Sequence, residues 1–141
     1  MDHIHLNNLR KRLFNRAAIT VFCTFLFNTL GIWLALYWII WWYDIPMHFF
    51  GGLFTGLLVV YFLLSYKKTA YIQTFKIVLF SLVLTFLITI LWEFYEYFFK
   101  TILAQEKFDL IDSLSDIFFG MLGALQAVFI YLRHKKIVLA Q

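Results

Sequence analysis

Four stretches of this chain contain no Asp, Glu, Lys, Arg or His: 17–43, 49–66, 77–92 and 117–132. The first exceeds the roughly 20 apolar residues needed to cross a bilayer, and the second nearly matches them. The last two reach spanning length only by taking in acidic residues at one end. Of the 141 residues, 63% are hydrophobic and 14% charged. A water-soluble domain is about 45–50% apolar and about 25% charged, and one of this size could not bury the excess. Lipid supplies the missing apolar surroundings. The pattern predicts an all-α membrane protein, a single domain over 1–141, with four transmembrane helices in an antiparallel bundle. The spans fall near 17–43, 46–66, 75–99 and 111–132. The connection at 43–45 is so short that the first two helices form a tight antiparallel hairpin.

Charge fixes the orientation. Arg10, Lys11, Arg12 and Arg16 resemble the basic start of a signal peptide, but the apolar run behind them far exceeds the usual length of about 7–15, and no small-x-small cleavage site follows. That run is therefore expected to remain as a span. Ten of the twelve Lys and Arg residues fall on one side: these four, Lys67, Lys68, Lys76, Arg133, Lys135 and Lys136, with only Lys100 and Lys107 opposite. The positive-inside rule then puts both termini in the cytoplasm. Trp38, Trp41, Trp42, Tyr43, Trp92, Tyr95 and Tyr97 form an aromatic belt at the outer interface. The net charge of +4 is spent on topology, which argues against a nucleic-acid partner. A single cysteine excludes a disulfide framework or a Cys-rich zinc site, and Cys23, in apolar surroundings, reads as inert.

The acids are distributed the other way. Only Asp2 lies on the cytoplasmic side, while Asp44, Glu93, Glu96, Glu106, Asp109, Asp112 and Asp116 map to the outer end. Asp44 and His48 are four apart, Glu93 and Glu96 three, Asp112 and Asp116 four, so each pair occupies one face of its helix. The faces continue in the same rhythm: Gly52 and Gly56 below His48, Gly120 and Ala124 below Asp116, and Thr89, Thr85 and Ser81 below Glu93. Such small and hydroxyl residues let membrane helices approach closely, so Gly52, Gly56 and Gly120 are expected to be packing positions. Asn28, with Thr24, Gly31 and Ala35, completes the interior from the first helix. The expectation is a bundle with a polar cup opening outward.

Each polar residue also has an ordinary explanation. Asp44 suits a helix N-cap ahead of Pro46, Asp112 suits the positive end of a helix dipole, and His48 alone is an unremarked interfacial histidine. Asp109 and Glu106 read as loop charges, and His3 and His5 as an incidental pair. Three pairs at one depth above small-residue stripes are harder to explain singly. Acids at bilayer depth cost on the order of 2.5–3.5 kcal/mol, and no Lys or Arg in the bundle core offsets them. Protons or a bound cation must do so. A mixed carboxylate and imidazole set suits Mg, Mn, Fe or Zn. The expected ligands are His48, Glu93, Glu96, Asp112 and Asp116, with Asp44 orienting His48 from behind and Glu93 and Asp116 as catalytic candidates. Helix 3 carries Glu93-x-x-Glu96 in place of the Glu-x-x-His of di-iron bundles, which argues against an oxidase.

Three motifs also resemble a known group. Asp44-x-Pro46-x-His48-x-x-Gly51-Gly52, Trp92-Glu93-x-x-Glu96 and Asp112-x-x-x-Asp116-x-x-x-Gly120-x-x-Gly123 resemble small bacterial membrane proteins of the YjdF type and, more distantly, VanZ-like proteins. The resemblance covers about residues 40–125. It implies a bacterial cytoplasmic-membrane protein and points to the same six polar residues. Three functions follow in order of expectation. The first is a metal-dependent hydrolase or transferase acting on an envelope lipid. The second is a non-catalytic protein that recognises an amphiphile or holds a cation. The third is an ion- or proton-coupled transporter, disfavoured because the cytoplasmic half of each stripe lacks ionisable residues. Membrane lipids are the expected partners, and self-association stays open.

Overall fold

The computed structural model describes residues 3–66, 73–103 and 109–139. Asp2, Lys67, Lys68, Glu106, Lys107 and the side chain of His3, all used in the sequence reading, lie outside the described residues. The described chain is helical throughout its elements: α1 (His3–Trp33), the short α2 (Leu36–Ile39), α3 (Asp44–Ser65), α4 (Thr74–Tyr97) and α5 (Leu110–Leu139), with α4 prolonged by a π-helical turn over Phe98–Leu103. Four helices are long and apolar enough to cross a membrane: Ile4–Trp33, Asp44–Ser65, Thr74–Thr101 and Leu110–Ile137. Their outward faces carry large exposed apolar side chains such as Phe22, Phe62, Leu91 and Phe118, far more than a water-facing monomer presents.

The first helix departs from its expected bounds of 17–43. It begins fourteen residues earlier because Leu6, Leu9 and Leu13 continue the apolar stripe at helical spacing. Leu9, Leu13 and Ala17 are buried against Leu57, Val60 and Leu64 of α3 and Tyr131 of α5, while Lys11, Arg12 and Arg16 stay exposed. Arg10 Nε donates to Ser65 Oγ at 3.1 Å, tying this end of α1 to the end of α3. The helix stops at Trp33 because Ala35 adopts a left-handed conformation, φ 56° and ψ 29°. That costs an L-residue roughly 1–2 kcal/mol, and the tyrosines that follow offset it. Tyr37 OH donates to Asn28 Oδ1 at 2.6 Å, Tyr43 OH donates to the Phe27 carbonyl at 2.7 Å, and the two rings meet edge to face at 5.0 Å. The connection into α3 therefore runs from Leu34 to Tyr43 through α2, in place of the expected short hairpin turn at 43–45.

α3 and α5 form the centre of the molecule, with α1 and α4 packed on their flanks. The central contact is backbone to backbone. A Cβ on Gly52 would strike the Gly120 carbonyl, and one on Gly123 would strike the Phe49 carbonyl. One turn further along, a Cβ on Gly56 would come within 2.8 Å of Ala127 Cβ. α4 closes on the same seam: a Cβ on Gly120 would meet Thr89 Cγ2 at 2.6 Å, and Ser81 Oγ donates to the Gly56 carbonyl at 3.4 Å. Close approach of this kind supplies the dispersion contacts that replace hydrophobic burial between helices in lipid.

Gly52→Ala is expected to lower the unfolding free energy by about 1–3 kcal/mol through overpacking, read as a fall in the thermal midpoint in detergent. Gly51→Ala, whose Cβ meets nothing within 4 Å, should be neutral or slightly stabilising through helix propensity.

Candidate metal centre

The glycine contact sets the depth of α3 against α5 and so brings their polar residues together at one end of the bundle. Asp44 lies in the first turn of α3, where Tyr43 occupies the cap position and no side chain caps the helix. Asp44 is thus free of that ordinary role, and its carboxylate faces one turn down to His48. His48 Nε2 lies 3.5 Å from Asp44 Oδ1 and 3.5 Å from Asp116 Oδ2, while its Nδ1 lies 3.8 Å from Glu93 Oε1. One imidazole therefore joins carboxylates from α3, α4 and α5.

Four residues offer donor atoms that all lie within 4.8 Å of one another: Asp44, His48, Glu96 and Asp116. Ligands on opposite sides of an ion with bonds of about 2.0–2.4 Å stand about 4.0–4.8 Å apart, so the spread is that of a single coordination sphere. The set is three carboxylates and one imidazole, suited to borderline and hard divalent ions. Asp116 decides the character of the site. Its side chain is 2% exposed, and its Oδ2 has no hydrogen-bond donor among the described residues. A buried carboxylate oxygen without a donor is costly, and the nearest positive group available to it, His48, is shared with Asp44.

Not all six expected residues enter this group equally. Asp44 stands among the four donors and not only behind His48. Glu93 lies outside the four, beside the other ring nitrogen of His48 and within hydrogen-bonding reach of Ser113. Asp112 is exposed at the rim and pairs with Lys100, Nζ to Oδ2 3.6 Å. Lys100 also lies 3.2 Å from Glu96 Oε2, while Trp92 Nε1 donates to Glu96 Oε1 at 3.0 Å. A cation therefore stands beside the acids at the rim, outside the bundle core in which the sequence showed none. Lys100 lies just beyond the expected span of 75–99, and the π-helical turn that prolongs α4 carries it one turn past Glu96. Asp109, read as a loop charge, caps α5: its Oδ1 accepts from the Ile111 amide at 2.9 Å and the Asp112 amide at 3.3 Å. An Asp just ahead of an apolar helix was the available signal.

The site opens into a cavity of about 490 Å³ between α1 and α4, floored by α3. Asp44, His48, Glu96 and Lys100 line one end, and Val21, Phe25, Phe54 and Ile88 the other. Asn28, Tyr37 and Trp92 lie along its wall.

Comparison with known families bears on what carries this site. Residues 4–136 match a family described as predicted membrane proteins, DUF2238. This chain belongs to that family. The YjdF-type resemblance is consistent with membership, which covers every helix lining the cavity. No curated protein and no solved structure matches the chain.

The geometry makes a stability prediction. In the presence of a chelator, Asp116→Asn is expected to leave the thermal midpoint unchanged or raise it, because the change removes a buried charge that lacks a donor and leaves His48 its Asp44 partner. The gain is limited to the penalty of one unsatisfied group, about 1–3 kcal/mol. A clear fall under those conditions would make Asp116 a structural residue.

Proposed function

We propose that this chain is a multi-pass protein of the bacterial cytoplasmic membrane that holds one divalent cation (Mg, Mn, Fe or Zn) at the outer membrane face, and uses it to recognise or act on an envelope lipid or amphiphile. The single observation that carries the reading is the convergence of Asp44, His48, Glu96 and Asp116 donor atoms within 4.8 Å of one another, with the buried Asp116 Oδ2 lacking a donor among the described residues. Desolvated acids from three helices repel one another unless a cation stands among them. In this reading Asp112 serves the rim through Lys100, and Glu93 acts on the ion through His48.

The placement of Glu93 favours a metal-dependent hydrolase or transferase over a purely structural ion. A divalent ion here supplies Lewis-acid polarisation of a phosphoryl or ester oxygen. Glu93, close to the four donors but outside them, is the carboxylate left to take a proton, and Asp116 orients the reacting group from the buried side. A non-catalytic cation or amphiphile binder keeps the same ligands and needs no role for Glu93.

Elemental mass spectrometry on detergent-purified protein, after incubation with each ion and desalting, is expected to give near-stoichiometric metal. His48→Ala and Asp116→Asn should each lose at least 90% of it, while Asp112→Asn should retain it. Absence of metal under every condition would sink the cation reading. Orientation is tested separately. The distribution of Arg10, Lys11, Arg12, Arg16, Arg133, Lys135 and Lys136 supports the reading that both termini are cytoplasmic. A C-terminal alkaline phosphatase fusion should be inactive and a fluorescent-protein fusion bright, and the reverse pattern overturns that orientation.

A further inference from the structure

We infer that the cavity between α1 and α4 is a lateral binding site for a phosphate-bearing amphiphile, which enters from the lipid with its chain along Val21, Phe25, Phe54 and Ile88 and its phosphate between Lys100 and the metal centre. The inference rests on the cation reading above and adds the ligand's chemical class. Three observations support it. The cavity is polar at one end and apolar at the other, with Asp44, His48, Glu96 and Lys100 separated along its length from Val21, Phe54 and Ile88. From Asp44 to Phe54 along α3 is ten residues, about 15 Å at 1.5 Å per residue, and a twelve-carbon chain spans a similar length. Its volume of about 490 Å³ lies within the roughly 300–1,000 Å³ of small-molecule sites.

The cavity also has an opening and a reason to stay empty of side chains. Phe25 and Val21, on its α1 wall, are 63% and 39% exposed, so this wall borders the surface that faces lipid. Gly51 lines the floor, and a Cβ built there meets nothing within 4 Å. Gly52, next to it, is held to glycine by the α5 backbone, but no such contact requires glycine at 51. What its lack of a side chain provides is room.

Charge selects phosphate as the headgroup. Four protein donors leave two positions on an octahedral ion, and hard divalent ions held by a few carboxylates commonly complete their sphere with phosphate oxygens. Lys100 Nζ, partly exposed and held beside Glu96 Oε2 at 3.2 Å, is positioned to meet a further phosphate oxygen. An ammonium headgroup would find both the ion and Lys100 opposing it.

The test is equilibrium binding of radiolabelled dodecyl phosphate to the full chain, purified in dodecyl maltoside and loaded with Mn²⁺, with protein-free micelles as the blank. Saturable one-to-one binding is expected, at least tenfold tighter than that of dodecanol, dodecyltrimethylammonium or inorganic phosphate as competitors. Gly51→Leu should weaken it at least tenfold while the Mn²⁺ content stays at one, which also certifies the fold. Ile88→Trp, filling the cavity from α4, should do the same, and Lys100→Gln should weaken dodecyl phosphate without shedding Mn²⁺. If the unmodified chain holds no Mn²⁺, the cation reading falls and this inference with it. If Mn²⁺ is held but inorganic phosphate competes as well as dodecyl phosphate, the ligand is a free anion and the amphiphile is overturned. A preference for dodecyltrimethylammonium overturns the phosphate. Dodecyl phosphate binding that survives both Gly51→Leu and Ile88→Trp, with Mn²⁺ in place, overturns the cavity as its seat.

Discussion

The contact between the backbones of α3 and α5 governs where everything else can be. Gly52 against the Gly120 carbonyl and Gly123 against the Phe49 carbonyl leave no space for a Cβ, so the observed register depends on glycine at these positions. In lipid there is no hydrophobic force to press helices together; the contact holds because interlocked backbones gain dispersion along their length. Its consequence lies one turn away. Helical spacing puts His48 four residues before Gly52 and Asp116 four residues before Gly120, so the register that docks the glycines also brings the His48 imidazole to 3.5 Å from the Asp116 carboxylate. The polar centre is thus a geometric by-product of an apolar contact.

α1 obeys a different constraint, and the cavity is the result. Its buried apolar side chains, Leu9, Leu13 and Ala17, all lie in the first half of the helix, while Gly31 near its end is buried beneath the Tyr37 and Tyr43 rings. Beyond Ala17, the face toward α3 carries Val21, Thr24, Phe25 and Asn28, which line the cavity. Ala35 then ends the helix in a strained left-handed turn, and the Tyr37 and Tyr43 hydroxyls tie the following segment back onto Asn28 and Phe27. A helix anchored at one end by leucines and at the other by tyrosine hydroxyls can stand off the bundle in between. Tight packing at the basic end and space at the acidic end arise from one helix whose facing residues change character at residue 17.

What could be read from the sequence follows from which forces act locally. Four apolar helices were legible because the cost of burying charge in hydrocarbon writes itself into composition. The carboxylate and histidine cluster was legible in outline because i, i+4 spacing survives folding: Asp44 and His48 remain on one face at 3.5 Å. The share each acid takes was not, since it depends on how helices rotate against each other. That rotation sends Asp112 outward to Lys100 and draws Asp44 into the group of four. The start of α1 was obscured by basic residues that look like a flank in sequence but share a helix with Leu9 and Leu13. The break at Ala35 was invisible because nothing local asks alanine to adopt that conformation; tyrosines two and eight residues later impose it.

Lys100 shows how half-buried carboxylates are tolerated beside a fully buried one. Asp44, Glu96 and Asp116 offer oxygens within 4.8 Å of one another, the width of one coordination sphere, and in hydrocarbon such a group would not persist unaided. The protein supplies partial compensation in layers. Lys100 and Trp92 hold Glu96 from the rim, and His48 is divided between Asp44 and Asp116 at the centre. Neither layer reaches Asp116 Oδ2 with a hydrogen bond, so the deepest oxygen keeps the least compensated charge. A site built for stability alone would place its cation there. On the cation reading proposed above, leaving that position to an ion from outside would raise the energy of the unliganded bundle and lower it on binding, so the missing compensation at Asp116 would become affinity for that ion.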